Sequence, residues 1–252
     1  GGNVMYDLKG TNTGVIIHLY EDEALKPDPL FEHISLRHVN RGEYNADPVP
    51  FEMLHLLQKS VREEEVQLVL VTEDEQKEKL ARLSAVAARM QFRNPAFKDE
   101  LMQWIRFNHK SAEATHDGIP SGAVGAPSTP PAVGRFFFRH FVSPGNEASK
   151  AAEQLEQAPA LAVLAAKENS KEGWVKLGRN FERLALTATR YNLSHSHFNM
   201  ACEEELVRKR LKETLQLEAE PLLLLRLGFG KEEMPPSQRR PVEELLTNGK
   251  LV

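Results

Sequence analysis

The stretch from Ser170 to Asn192 limits the fold more than any other. Trp174, Leu177, Phe181, Leu184, Ala185 and Ala188 recur there at i, i+3 and i+7, and Ser170 stands where an N-cap would stand. The spacing predicts one helix over 171–192. At about 1.5 Å per residue it would span roughly 33 Å, the diameter of a small domain. A helix that long with so wide an apolar face must be covered along its length, and the rest of the chain must supply the cover. Three short apolar runs are the natural partners: 66–72 (VQLVLVT), 160–166 (ALAVLAA) and 221–229 (PLLLLRLGF), all of strand length. A further strand is expected at 14–20 (GVIIHLY), bounded by Gly14 and the acidic residues from Glu21.

Shorter helices complete the pattern. One is expected over 30–37, carrying Leu30, Phe31, Ile34 and Leu36. A second runs over 50–63, with Pro50 in its first turn and Met53, Leu54 and Leu57 on its apolar side, ending in a solvated acidic run at Glu63, Glu64 and Glu65. Thr72 with Glu75 resembles a capping box opening a helix over about 73–92, whose apolar positions are Leu80, Leu83, Val86, Ala87 and Met90. Asn94-Pro95 repeats the cap-then-proline signal and opens a helix to about Phe107. Others follow at 147–157, 201–215 and 242–246, with the loop NLSHSHFNM between the long helix and the 201–215 helix. The residue pattern gives a mixed α/β chain with few strands, one long buried central helix and no internal repeat.

Residues 108–145 differ in composition. They contain DGIPSGAVGAPSTPPAVG and then RFFFRHF. A structureless loop of this length is uncommon in a compact domain and is usually a lid, a binding loop or disorder. Four Phe side chains (136, 137, 138 and 141) are too many for a solvated linker, so the segment is expected to pack against the domain or a partner and to act as a lid. The domain proper is placed at 30–252 with this insertion at about 108–145.

Composition narrows the function. The chain has 252 residues, 32 Lys+Arg against 36 Asp+Glu, and a formal charge of −4. That balance argues against nucleic acid as the general partner. No apolar run reaches the roughly 18 residues of a membrane span. One cysteine, Cys202, rules out an internal disulfide framework and a Cys-rich zinc site. His195-x-His197 with Cys202 lacks a standard ligand spacing, no activating pattern surrounds the thiol, and Gly228-Phe229-Gly230 is too short for a dinucleotide loop.

Two basic clusters carry the chemistry. Arg37-His38-Val39-Asn40-Arg41 sets two arginines four apart around a loop, and Arg239-Arg240 sit on a loop stiffened by Pro235, Pro236 and Pro241. Guanidinium forks suit phosphate; by composition alone each cluster reads first as a solvated turn. Their order resembles the two ends of the FMN-binding nitroreductase family. The Acg-type branch is the nearer likeness, through RHVNR, DGIP, LRLGFG and PPSQRRPVEELL, over about residues 30–250.

The resemblance implies an α+β fold, a small mixed or antiparallel sheet flanked by helices around the long buried helix, with residues 1–29 as the tail of a preceding half-domain or a linker. It also implies FMN held at an interface between two such units, with Arg37, Asn40, Arg41, Arg239 and Arg240 as cofactor-binding residues and no side chain as a catalytic acid or base. Val39 stands where the family usually has Ser, and 58–66 (QKSVREEEV) lacks its Pro-Ser-x-x-Asn ring-contact motif. The implied activity is NAD(P)H-dependent reduction of an electron-poor acceptor through the flavin. The alternative is an FMN-sequestering protein with a lid-covered flavin and no reductase activity. Gly1-Gly2 is no natural start, so the partner is expected to be a second nitroreductase-like half, in a homodimer or in a missing N-terminal part. A cytoplasmic location is expected.

Overall fold

A computed structural model describes residues 2–7, 14–62, 64, 66–236, 238–247 and 250–251. The acidic run expected at 63–65 lies outside these except for Glu64.

In chain order, β1 (Gly2–Asp7) and β2 (Gly14–Leu19) form an antiparallel hairpin, so the strand expected at 14–20 has a partner that sequence reading did not foresee. The helix expected at 30–37 is a single 3-10 turn, Phe31–His33, followed by irregular backbone. Then come α1 (Phe51–Ser60), β3 (Val66–Val71), α2 (Asp74–Arg93), α3 (Pro95–Trp104) and β4 (Ile105–Arg106). The segment expected to be a structureless loop is ordered. It holds α4 (His109–Thr115), β5 (Ile119–Pro120), a 3-10 turn (Ser121–Val124) and α5 (Pro131–Phe141), and β5 runs parallel to β4. The chain continues with α6 (Pro144–Glu156), β6 (Ala160–Ala166), α7 (Lys171–Arg190), β7 (Ser194–His197), α8 (Met200–Glu203), α9 (Glu205–Thr214) and β8 (Glu220–Gly228). It closes with α10 (Val242–Leu245) and the two-residue strands β9 (Leu246–Thr247) and β10 (Lys250–Leu251).

The main sheet is antiparallel throughout, in the order β3-β6-β8-β7, with a register shift between Leu164 and Ala165. All seven residues of β6 are buried, which explains a strand made of Ala, Leu and Val with no polar face. Its alternate residues feed two cores. Leu161, Val163 and Ala165 meet α2, α6, α8 and α9 on one side; Ala160, Ala162, Leu164 and Ala166 meet α1 and α7 on the other. The result is a sheet between two helical layers, the α+β class expected.

Capping accounts for several helix starts. The Ser170 hydroxyl accepts from Gly173 N at 3.2 Å, and the Asn94 amide oxygen from Ala96 N at 3.0 Å. Thr72 does not cap α2: Glu73 occupies that position, with no side-chain hydrogen bond. The buried stripe of α2 runs through Lys77, Leu80, Ala81, Ser84, Ala87, Ala88 and Gln91, so Val86 and Met90 face outward. The C-terminal half of α7 is buried from Leu184 to Ala188, but Trp174 is 53% exposed and the core does not reach that end. The expected 201–215 helix breaks at Glu204 into α8 and α9.

Helix α5 overturns an expectation about burial. Phe136, Phe137 and Phe141 are more than half exposed, and Val133 and His140 share their helical face. The inner face is Gly134, where a Cβ would overlap the Phe107 ring; lacking one, the helix backbone can approach that ring closely. The aromatic stripe therefore faces away from its own domain.

Candidate functional site

The turn from Arg37 to Tyr44 crosses the end of the sheet at β7 and β8. Asn40 holds it. This residue is buried; its Nδ2 donates to Glu232 O at 2.9 Å, its Oδ1 accepts from Gly42 N at 2.9 Å, and its backbone N–H donates to His195 O at 3.0 Å. Both ends of the Asn40 side chain are thus engaged with the chain itself.

Beneath the turn lies Arg226, the one charged residue in the apolar run of β8 and only 3% exposed. Its guanidinium sits over the Tyr44 ring at 4.0 Å and over Phe198 at 5.4 Å. It donates to Gly42 O at 2.5 Å and Asn40 O at 3.5 Å, while Tyr44 Oη donates to Asn40 O at 3.0 Å. Arg226 therefore grips the two carbonyls on either side of Arg41. Burial pushes the Tyr44 hydroxyl above its ordinary range and the Arg226 guanidinium below its own.

The expected loop at 194–197 is a strand. In β7, Ser194 pairs with Gly228, His195 with Leu227, Ser196 with Arg226 and His197 with Leu225. Alternation puts His195 and His197 on the α7 face, their rings at 5.7 and 4.9 Å from that of Phe181. His195 is buried, and its Nε2 has no hydrogen-bond partner among the described residues.

Burial pushes His195 down to about 3, and His197, Arg37 and His38 push in the same direction. Burial, then Arg41 and Arg37, pushes His197 down to about 4. Arg37 thus acts on both imidazoles and Arg41 on that of His197. Arg37 pairs with Glu182 at 3.0 Å, whereas Arg41, whose own acidity is raised by burial, meets no carboxylate among the described residues. Two guanidiniums and two neutral imidazoles with one compensating carboxylate suit an anion, not a cation. Among the described residues no three His, Cys, Asp or Glu side chains gather to hold a metal ion. Cys202 belongs to the core on the opposite face of the sheet, and burial pushes its thiol up to about 12.

Arg239 and Arg240 lie exposed on the C-terminal loop. Arg240 Nη2 reaches Asp117 Oδ2 of the insertion at 3.3 Å, and Asp117 also binds Arg106 Nη2 at 2.5 Å. Hydrogen bonds from Arg106 and Thr115, then the charges of Arg106 and Arg240, hold the Asp117 carboxyl below the usual carboxylate range. The structure thus brings Arg37, Asn40 and Arg41 together and commits Arg240 to the insertion. His195, His197 and Arg226 were missed as site residues. The period-two repeat SHSH and an arginine interrupting LLLLRLG were the signals available.

Comparison with known proteins places the fold. No protein-family model and no curated protein matches this chain. Solved structures do. An FMN-bound nitroreductase from Bacteroides fragilis aligns at TM-score 0.52 and 14% identity, over 88% of this chain and 98% of its own. Nitroreductase A from Vibrio parahaemolyticus gives 0.54 and 13%, over 90% and 78%. An oxidised iodotyrosine deiodinase bound to FMN and 3-iodo-L-tyrosine gives 0.55 and 11%, over 84% and 95%. The chain has the nitroreductase fold.

Proposed function

We propose that this protein is an FMN-binding oxidoreductase of nitroreductase type, acting on an electron-poor acceptor with NAD(P)H as donor. The observation that carries the reading is Arg41, a half-buried guanidinium that meets no carboxylate among the described residues, on a turn that also carries Arg37 and is bonded through Asn40 N to His195 O, in a fold whose solved examples include proteins with bound FMN. These residues fit a flavin phosphate: Arg37 and Arg41 would hold it, and Asn40 would keep the turn that presents them. The resemblance adds Arg239 and Arg240, which join only if Asp117 releases Arg240. When bound, the flavin supplies the hydride chemistry, and the chain's residues anchor and enclose it.

A store that holds FMN without reducing anything is the second reading. It is favoured by the ordered insertion pinned through Asp117, a segment the resemblance makes a lid. In either case a second nitroreductase-like half is the proposed partner, since Phe136, Phe137 and Phe141 face outward and await cover. A cytoplasmic location goes with this reading. No helix among the described residues is long and apolar enough to cross a membrane.

The test is the visible spectrum of the purified protein and an FMN titration followed by flavin fluorescence. Bound flavin is expected, and Arg41→Ala should weaken FMN roughly 10- to 100-fold, the scale of one charge-assisted contact. Neither flavin bands nor saturable quenching in the parent protein would end both readings. Bleaching by NADPH separates reductase from store.

A further inference from the structure

With Arg240 held by Asp117, the flavin reading takes its phosphate contacts from the turn at 37–41, and two guanidiniums from a single turn leave a phosphoryl group short of donors. The strand tied to that turn is β7. His195 is buried, its Nε2 finds no partner among the described residues, and an unmade hydrogen bond at a buried polar atom costs free energy until a partner arrives. His197, two residues on, shares that face and the influence of Arg41 and Arg37. His38 stands near but is occupied, its Nδ1 lying 2.8 Å from Leu36 O. Glu182 is the carboxylate at the patch, and it is paired with Arg37. Phe181 closes the apolar side behind both imidazoles.

We infer that β7 completes this anion grip: His195 and His197, together with Arg37 and Arg41, hold the terminal phosphoryl group of a phosphomonoester. The inference rests on the proposed flavin site and assigns it residues from a second element. The chemistry agrees on three counts. The charge of Arg37 is already offset by Glu182, so Arg41 contributes the uncompensated charge; a phosphoryl group with close to two negative charges needs further donors. A neutral imidazole offers one N–H, which is what a phosphoryl oxygen accepts. The strand is also tied to the turn, because Asn40 N donates to His195 O at 3.0 Å, so strand and turn are held as one unit.

The experiment compares FMN, riboflavin and inorganic phosphate on the intact chain and on His197→Gln, with His195→Gln as the second variant should the first fail to fold. Flavin binding is followed by fluorescence, and phosphate binding by the shift in thermal midpoint. The expected result is that His197→Gln weakens FMN about tenfold or more, as loss of one charge-assisted contact should. Riboflavin affinity stays unchanged, and the stabilisation by phosphate disappears. Unchanged FMN affinity in the variant overturns the inference and leaves the flavin reading standing. Equal losses for FMN and riboflavin overturn it too, since the histidine would then act through the fold. Phosphate binding that requires His197, with no binding of either flavin, supports the anion grip and ends the flavin reading. A parent protein that binds neither phosphate nor FMN ends both.

Discussion

Lowering the pH from 7 to 5 is expected to cost this fold about 4 kcal/mol, most of it through two side chains. His195 and His197 are held neutral in the folded chain, down at about 3 and about 4, because burial penalises the charged imidazole. In the unfolded chain each returns to about 6.5. Below that value the unfolded state binds protons that the folded state refuses, so stability falls with pH. Each histidine accounts for about 2 kcal/mol between pH 7 and 5, and the loss continues until the folded values are reached. Asp28 and Asp117, both lowered, release their protons below this window and do not contribute to it. Urea unfolding at the two pH values, in a buffer free of phosphate, measures the difference, and His197→Gln should remove about half of it. A difference below roughly 1 kcal/mol, or one that the substitution leaves intact, would show that burial does not hold the imidazoles neutral.

Arg226→Ala is expected to destabilise the protein by roughly 3–5 kcal/mol and to loosen the turn that carries Arg41. The guanidinium is enclosed by Tyr44 and Phe198, and its removal leaves a cavity between two rings. Gly42 O loses its charge-assisted donor, although Asn40 O keeps Tyr44. Arg226→Met fills most of the volume without the donor, and should recover the packing part while leaving Gly42 O unsatisfied, at a remaining cost of about 1–3 kcal/mol. Denaturant unfolding gives both numbers. FMN affinity gives the second readout: Arg226→Met should weaken it even where the fold survives, because Arg226 touches the carbonyls beside Arg41 and not the ligand. Equal stability for the parent and Arg226→Ala would remove the clamp from the account.

Much of this architecture was legible from residue patterns. The strands at 66–71 and 160–166 and the helices at 74–93 and 171–190 follow from apolar runs and caps that act locally, and their bounds agree with the reading to within a few residues. What was not legible depends on distant partners. Residues 194–197 look like a loop because Ser and His are poor strand formers, yet pairing with β8 imposes the extended backbone. RFFFRHF looks like a buried plug because it is aromatic; it forms an outward-facing helical stripe because Gly134 is the residue that docks. In the site, the turn 37–41 was legible from its arginine spacing. The two histidines and the Arg226 support were not, since each lies about 150 residues or more away and reaches the turn through the Asn40 N to His195 O bond or the Arg226 side chain.

The sealed position of Cys202 has a practical meaning for anyone who wants to watch this molecule work. A thiol buried in the core and pushed up to about 12 offers almost no thiolate at neutral pH, so maleimides and mild oxidants find nothing to react with. The parent chain is therefore a silent background for thiol labelling. A cysteine placed at Gly122, where an added Cβ meets no atom within 4 Å, would be the single reactive handle on the insertion. A fluorophore there would report directly whether that segment changes its surroundings when FMN or NADPH is added.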